Sequence, residues 1–196
     1  MRYCDLNIMR QVAMSLLILF AVSGCGTTNI VRNLKTLPDT FTATTKHPQR
    51  LALVIDKEYF SYEIFTAHTW VGNEKYIIHS PADMFFELLT FNFESVELFN
   101  DMTEINKEKF DLIARMSIEQ KLANWHKGSQ SGCPIPSLFF TFTFEDMAGK
   151  SRFSTQISYR SCSKYFSLIN DQKTTQSFVR VFTKLSEELN LQTFDD

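Results

Sequence analysis

Ser137-Leu138-Phe139-Phe140-Thr141-Phe142-Thr143-Phe144-Glu145 and Arg152-Phe153-Ser154-Thr155-Gln156-Ile157-Ser158-Tyr159-Arg160 are two alternating runs, separated by Asp146-Met147-Ala148-Gly149-Lys150-Ser151. Alternation marks a half-buried strand, because successive side chains leave opposite faces. Leu138, Phe140, Phe142 and Phe144 share one face of the first run. Phe153, Thr155, Ile157 and Tyr159 share one face of the second. An antiparallel register whose paired residue numbers sum to 297 sets Phe144 opposite Phe153, Phe142 opposite Thr155, Phe140 opposite Ile157 and Leu138 opposite Tyr159. The same register sets Glu145 opposite Arg152. A slip of one residue turns every apolar group to the wrong face, so the pattern specifies this hairpin.

Working outward, Phe110, Leu112, Ala114, Met116 and Ile118 alternate with Asp111, Ile113, Arg115, Ser117 and Glu119 and predict another half-buried strand. Ser95-Val96-Glu97-Leu98-Phe99 alternates too, and Leu51-Ala52-Leu53-Val54-Ile55-Asp56 is an apolar run suited to a buried strand. Ser80-Pro81-Ala82-Asp83 predicts a helix start: Ser80 as cap, Pro81 at the first helical position, Asp83 at the positive end of the dipole. Met84, Phe85, Leu88 and Leu89 carry that helix to about Asn92. Phe178, Val181, Phe182, Leu185 and Leu189 form the apolar stripe of a last helix. Residues 57–79 fit strand or irregular structure, with a turn at Gly72-Asn73 and a short strand at Tyr76-Ile77-Ile78. The order β-α-β-β-β-β-α specifies an α+β fold, a mostly antiparallel sheet with two helices packed on it. The 51–56 strand, the helix and the 95–99 strand suit a parallel βαβ unit.

Length and composition agree with one such domain. The chain has 196 residues, 44% hydrophobic and 21% charged, with a formal net charge of -2. These values exclude a disordered chain and a multi-span membrane protein. Twenty basic residues against 22 acidic ones exclude a strongly basic nucleic-acid binder.

The first 24 residues read as a leader. Arg2 and Arg10 precede the apolar run Val12–Val22, whose 11 residues are too few for a bilayer core of about 30 Å. A start at Met9 would give a more typical leader. The run ends in Val22-Ser23-Gly24-Cys25, which resembles the lipobox of bacterial lipoproteins. That resemblance implies cleavage before Cys25, acylation of its thiol with palmitate-type chains, and effectively permanent membrane attachment. It also implies sorting: Gly26, in place of an Asp, favours the outer membrane. Residues 25–48 are rich in Thr and Asn, with Pro38 and Pro48, and read as an extended tether. The periplasmic domain then occupies 49–196.

The stretch from the first apolar strand through the capped helix, Phe93-Glu94-Ser95-Val96-Glu97-Leu98-Phe99 and Phe110-Asp111-Leu112-Ile113-Ala114-Arg115 resembles small envelope lipoproteins related to the TolB amino-terminal domain, such as the YajG-like, PelC-like and CsgG-like families. That likeness covers about residues 50–190. It implies an assembly or export accessory rather than an enzyme.

No nucleotide-binding or hydrolase motif stands out. Gly128-Ser129-Gln130-Ser131-Gly132 has Gln at the nucleophile position. His47, His68, His79 and His126 form no metal-binding spacing, and Glu87, Glu94 and Glu97 read as exposed charges. Four cysteines are present. Cys4 leaves with the leader and Cys25 is the lipidation site. Cys133 and Cys162 flank the open end of the hairpin in an oxidising compartment, so a disulfide between them is expected; a metal or redox pair is the alternative, without a CxxC to support it. Nineteen Phe are the unusual feature. Most suit a core, but Phe139 on a polar face, with Phe91, Phe93 and Phe99, would suit an aromatic patch.

The expected protein is therefore an outer-membrane-anchored, non-enzymatic lipoprotein facing the periplasm and serving envelope assembly or export. It uses no cofactor and has a protein partner in the envelope. A lipid or amphiphile carrier with a Phe-lined groove is the alternative, and a hydrolase the third.

Overall fold

The structure, a computed structural model, describes residues 28–33, 46–65, 74–121, 137–159 and 171–194. The strands are β1 (Thr28–Asn33), β2 (His47–Val54), β3 (Ser61–Phe65), β4 (Glu74–His79), β5 (Phe93–Phe99), β6 (Leu112–Lys121), β7 (Ser137–Asp146) and β8 (Ser151–Tyr159). The helices are α1 (Pro81–Asn92) and α2 (Asp171–Leu189). Five strands form a sheet in the order β5-β2-β6-β7-β8, and three form a smaller sheet in the order β1-β4-β3. The fold is α+β. The antiparallel ladders are the longer ones in the large sheet: ten residue pairs join β6 to β7 and eight join β7 to β8. Six and four pairs join β2 in parallel to β5 and β6. The parallel pairing of β2 with β5 across α1 is the expected βαβ unit.

The β7–β8 register is the one the alternation specifies, from Leu138 opposite Tyr159 to Phe144 opposite Phe153. It breaks one residue later. Glu145 lies opposite Ser151, not Arg152. The turn explains the correction. Gly149 donates to the Asp146 carbonyl and Asp146 to the Lys150 carbonyl, with Gly149 at φ 83°. A three-residue loop of this kind carries a left-handed residue that only Gly adopts without strain, and the adjoining bulge shifts the pairing by one. Arg152 consequently pairs with Asp146 at 3.1 Å, while Glu145 faces Arg115 at 3.5 Å.

One face of the large sheet carries the core. Leu51 and Leu53 of β2, Leu112, Ala114, Met116 and Ile118 of β6, and Leu138, Phe140, Phe142 and Phe144 of β7 are buried there against Phe85, Leu88 and Leu89 of α1 and Phe178, Phe182 and Leu185 of α2. The Phe rings pack edge to face: Phe140 against Phe178 at 5.7 Å and Phe142 against Phe182 at 6.0 Å between ring centres. Burying each such side chain stabilises the fold by about 1.5–3 kcal/mol. Asn92 and Ser186 are the buried polar pair between the helices; Asn92 Nδ2 donates to the Leu88 carbonyl at 2.8 Å and to Ser186 Oγ at 3.4 Å.

Among the described residues the opposite face carries a smaller cluster. Ala52, Phe110 and Ile113 pack there with Val54, Phe99, Met102, Ile105 and Met147. Phe110 therefore belongs to this second cluster and precedes β6, instead of starting the face that Leu112 begins.

Helix α1 starts at Pro81, with Asp83 in its first turn, as expected, but Ser80 does not cap through its hydroxyl. Ser80 sits at φ 75°, its N–H donates to the Phe60 carbonyl, and its own carbonyl accepts from Met84. This left-handed residue turns the chain from β4 into α1 and takes the hydroxyl away from the extended geometry of a side-chain cap. Residues 28–33, within the stretch expected to be a tether, form β1, which pairs in parallel with β4 from Thr28 opposite Glu74 to Asn33 opposite His79.

Candidate functional site

The start of β2 meets the start of β6 at a fourfold junction. Arg50 Nε and Nη2 donate to the two Asp111 carboxylate oxygens at 3.1 and 2.9 Å. The Arg50 amide donates to the same carboxylate at 2.8 Å, and the Asp111 amide donates to the Arg50 carbonyl at 2.9 Å. Chiefly because of the Arg50 side-chain hydrogen bonds, the Asp111 carboxyl is held below the usual carboxylate range. Asp146, across the sheet, is also lowered, first by the Lys150 amide and then by the Ala148 amide and Arg152.

These groups border a cleft of about 350 Å³ lined by Pro48, Gln49, Asp111, Leu112, Asp146, Arg152 and Phe194. Gln49 Oε1 is buried there with no hydrogen-bond partner among the described residues. Its walls are more polar than apolar, so this cleft is not the Phe-lined groove that an amphiphile carrier needs. His47 stands nearby. Its Nε2 lies 3.1 Å from the Leu189 carbonyl at the end of α2, and its ring packs between Phe93 and Phe194, each at 5.0 Å.

A second surface is the exposed side of β6, β7 and β8. Ser117, Thr141 and Gln156 lie abreast, as do Glu119, Phe139 and Ser158. Gln156 Nε2 donates to Thr141 Oγ1 at 3.2 Å, and Lys121 Nζ lies 4.5 Å from the Phe139 ring centre. This half-buried Phe139 beside a cation is what the expected aromatic patch amounts to. Phe93 is buried beneath Phe194 and Phe144, Phe99 packs edge-on against Phe110, and Phe91 is 38% exposed on α1. The four Phe are thus distributed between core, second face and surface.

Cys25, Cys133, Cys162, His68, His126 and the Gly128–Gly132 segment lie outside the described residues. Glu94 and Glu97 are exposed and three apart on β5, which aims them to opposite sides. Among the described residues no group of three or more His, Cys, Asp or Glu side chains is placed to hold a metal, and no helix is long and apolar enough to cross a membrane. The Arg50–Asp111 junction was not anticipated from sequence. Its partners are 61 positions apart, and each taken alone reads as an ordinary surface charge.

No protein-family model matches the chain, and no curated protein matches it in sequence. Solved structures similar to it include a Xanthomonas campestris protein of family DUF330, at 11% identity and a TM-score of 0.47 over 84% of this chain and 93% of that one. A neuraminyllactose-binding hemagglutinin homolog from Helicobacter pylori is similar at 16% identity and a TM-score of 0.37 over 81% and 93% of the two chains. A minor lipoprotein from Acinetobacter baumannii is similar at 15% identity and a TM-score of 0.34 over 76% and 93%. At these scores none of them assigns a role to the residues described above.

Proposed function

We propose that the chain is an outer-membrane lipoprotein, anchored through Cys25, whose α+β domain serves as a non-enzymatic periplasmic accessory in envelope assembly or export. The observation that carries this reading is Val22-Ser23-Gly24-Cys25 at the end of an 11-residue apolar run. The organisation of the domain supports it. Most of its described Phe residues are buried in the core, its carboxylates Asp111 and Asp146 are paired with Arg50 and Arg152, and among the described residues its exposed features include a largely polar sheet face and the edge strand β8. Those are surfaces suited to docking. A protein partner in the envelope fits them; the partner's identity follows from crosslinking. A photo-crosslinking residue at Thr141 or Gln156 should join the protein to one discrete envelope protein in intact cells. Adduct patterns identical to those from a probe at exposed Glu108, away from this face, would reject the docking role.

A further inference from the structure

The strand β1 stands in the part of the chain nearest the expected lipid anchor, and its position has a geometric consequence. Six residues of β1 pair one for one with β4, with Thr28 opposite Glu74 at one end and Asn33 opposite His79 at the other. Cys25 precedes Thr28 by three residues, which span at most about 10 Å when fully extended. A free chain of the length of residues 25–48 would instead wander over an r.m.s. distance of roughly 27 Å.

The small sheet is itself fixed to the domain. Ile78 of β4 is buried in the main core, the Met84 amide of α1 donates to the carbonyl of Ser80 just after β4 at 3.0 Å, and the Tyr62 hydroxyl of β3 donates to the Ile118 carbonyl of β6 at 3.3 Å. Motion of the small sheet relative to the rest would break these contacts. A lipid at Cys25 is therefore connected to a folded body by a short link and not by a long leash.

We propose that β1 holds the Thr28–Glu74 end of the three-stranded sheet against the lipid headgroups of the membrane, so that this end is the membrane-facing surface of the domain. The inference rests on the lipobox reading under Proposed function and deepens it: the acyl chains enter the hydrocarbon, Cys25 stays at headgroup depth, and the link fixes which part of the fold is nearest. The domain then works at the membrane surface.

The test uses the full-length lipoprotein with a fluorescent amino acid encoded at position 74, leaving every cysteine native. The protein is reconstituted into phosphatidylethanolamine–phosphatidylglycerol vesicles that carry a headgroup-attached quencher. Two variants accompany it, a long Gly/Ser insertion between Gly26 and Thr27, and the double change Ile30→Pro with Val31→Pro, which removes ladder donors from β1. Intact mass reads acylation in each. The expected result is strong quenching in the parent chain and its loss in both variants, with acylation unchanged. Weak quenching in the acylated parent, or quenching that survives either change, overturns the placement of β1. An unacylated Cys25 overturns the anchoring reading itself, and the mass distinguishes that failure from the other.

Discussion

The hydroxyl of Tyr59 accepts a hydrogen bond from the Ile118 amide at 3.3 Å. Strand β2 pairs with β6 only as far as Arg115, and among the described residues no strand pairs with the next stretch of β6 on that side. Two phenols fill the gap, because Tyr62 donates to the Ile118 carbonyl as Tyr59 takes its amide. Burial raises the pKa of both phenols, which keeps them protonated as donors and neutral acceptors at ordinary pH.

Tyr59→Phe leaves the buried Ile118 amide unpaired and should destabilise the domain by about 1–3 kcal/mol. Tyr62→Phe removes a hydroxyl that is partly buried and should cost about 0.5–1.5 kcal/mol. Urea unfolding of the two variants checks both the sizes and the order. A Tyr59→Phe protein as stable as the parent would mean that solvent reaches Ile118.

Gly149→Ala isolates backbone strain. Gly149 has φ +83°, and a Cβ there would meet no atom within 4 Å. The cost is therefore conformational, about 1–2 kcal/mol. Thermal unfolding should show that loss, and Gly149→Asn should recover part of it because Asn tolerates the left-handed region. Equal losses for the two variants would point to a steric cause instead.

Asp111 sets an acid limit. Its folded-state pKa is lowered, chiefly by hydrogen bonds from Arg50. A carboxylate of this kind contributes its stability above its unfolded value of about 4 and loses that contribution as pH falls through the lower folded value. The parent should thus lose stability below about pH 4 more steeply than Asp111→Asn. Both partners are well exposed, so the difference is modest and shrinks with added salt. Matching acid limbs for the two proteins would remove Asp111 from the account.

The hairpin register was legible because Phe140, Phe142 and Phe144 alternate strictly, and a strand shifted by one residue would expose all three. Helix α1 was legible from Pro81 and the spacing of Phe85, Leu88 and Leu89. Other features depend on what residues distant in the chain do. The bulge that separates Glu145 from Arg152 follows from the turn at Gly149, which takes one residue out of step. Ser80 looks like a cap in sequence, but its backbone takes φ 75°, away from the extended geometry from which a hydroxyl reaches a helix amide. Strands β1 and β3 are short and carry no clean alternation, so nothing local marks them. Tyr59 and Tyr62 read as generic aromatics until the end of β2 leaves Ile118 open.

The expected Cys133–Cys162 disulfide falls in segments that leave the same end of the hairpin: Leu138 pairs with Tyr159, and the cysteines lie five positions before the one and three after the other. We propose that the bridge closes this end. The chain-entropy estimate for its ring is about 3.6 kcal/mol. Peptide mapping of the non-reduced protein should recover the linked pair, and Cys133→Ser with Cys162→Ser should lower the melting temperature without changing localisation. Recovery of both thiols free would refute the bridge.

Anchoring at Cys25 is the central claim, and the intact mass of the protein purified from gradient-separated membranes tests it most directly. The predicted result is a chain that begins at Cys25, carries acyl groups on that residue and is recovered with outer-membrane markers, while Cys25→Ala is neither acylated nor retained on the membrane. A chain with an unmodified Cys25, or one whose membrane retention is unaffected by Cys25→Ala, would contradict it.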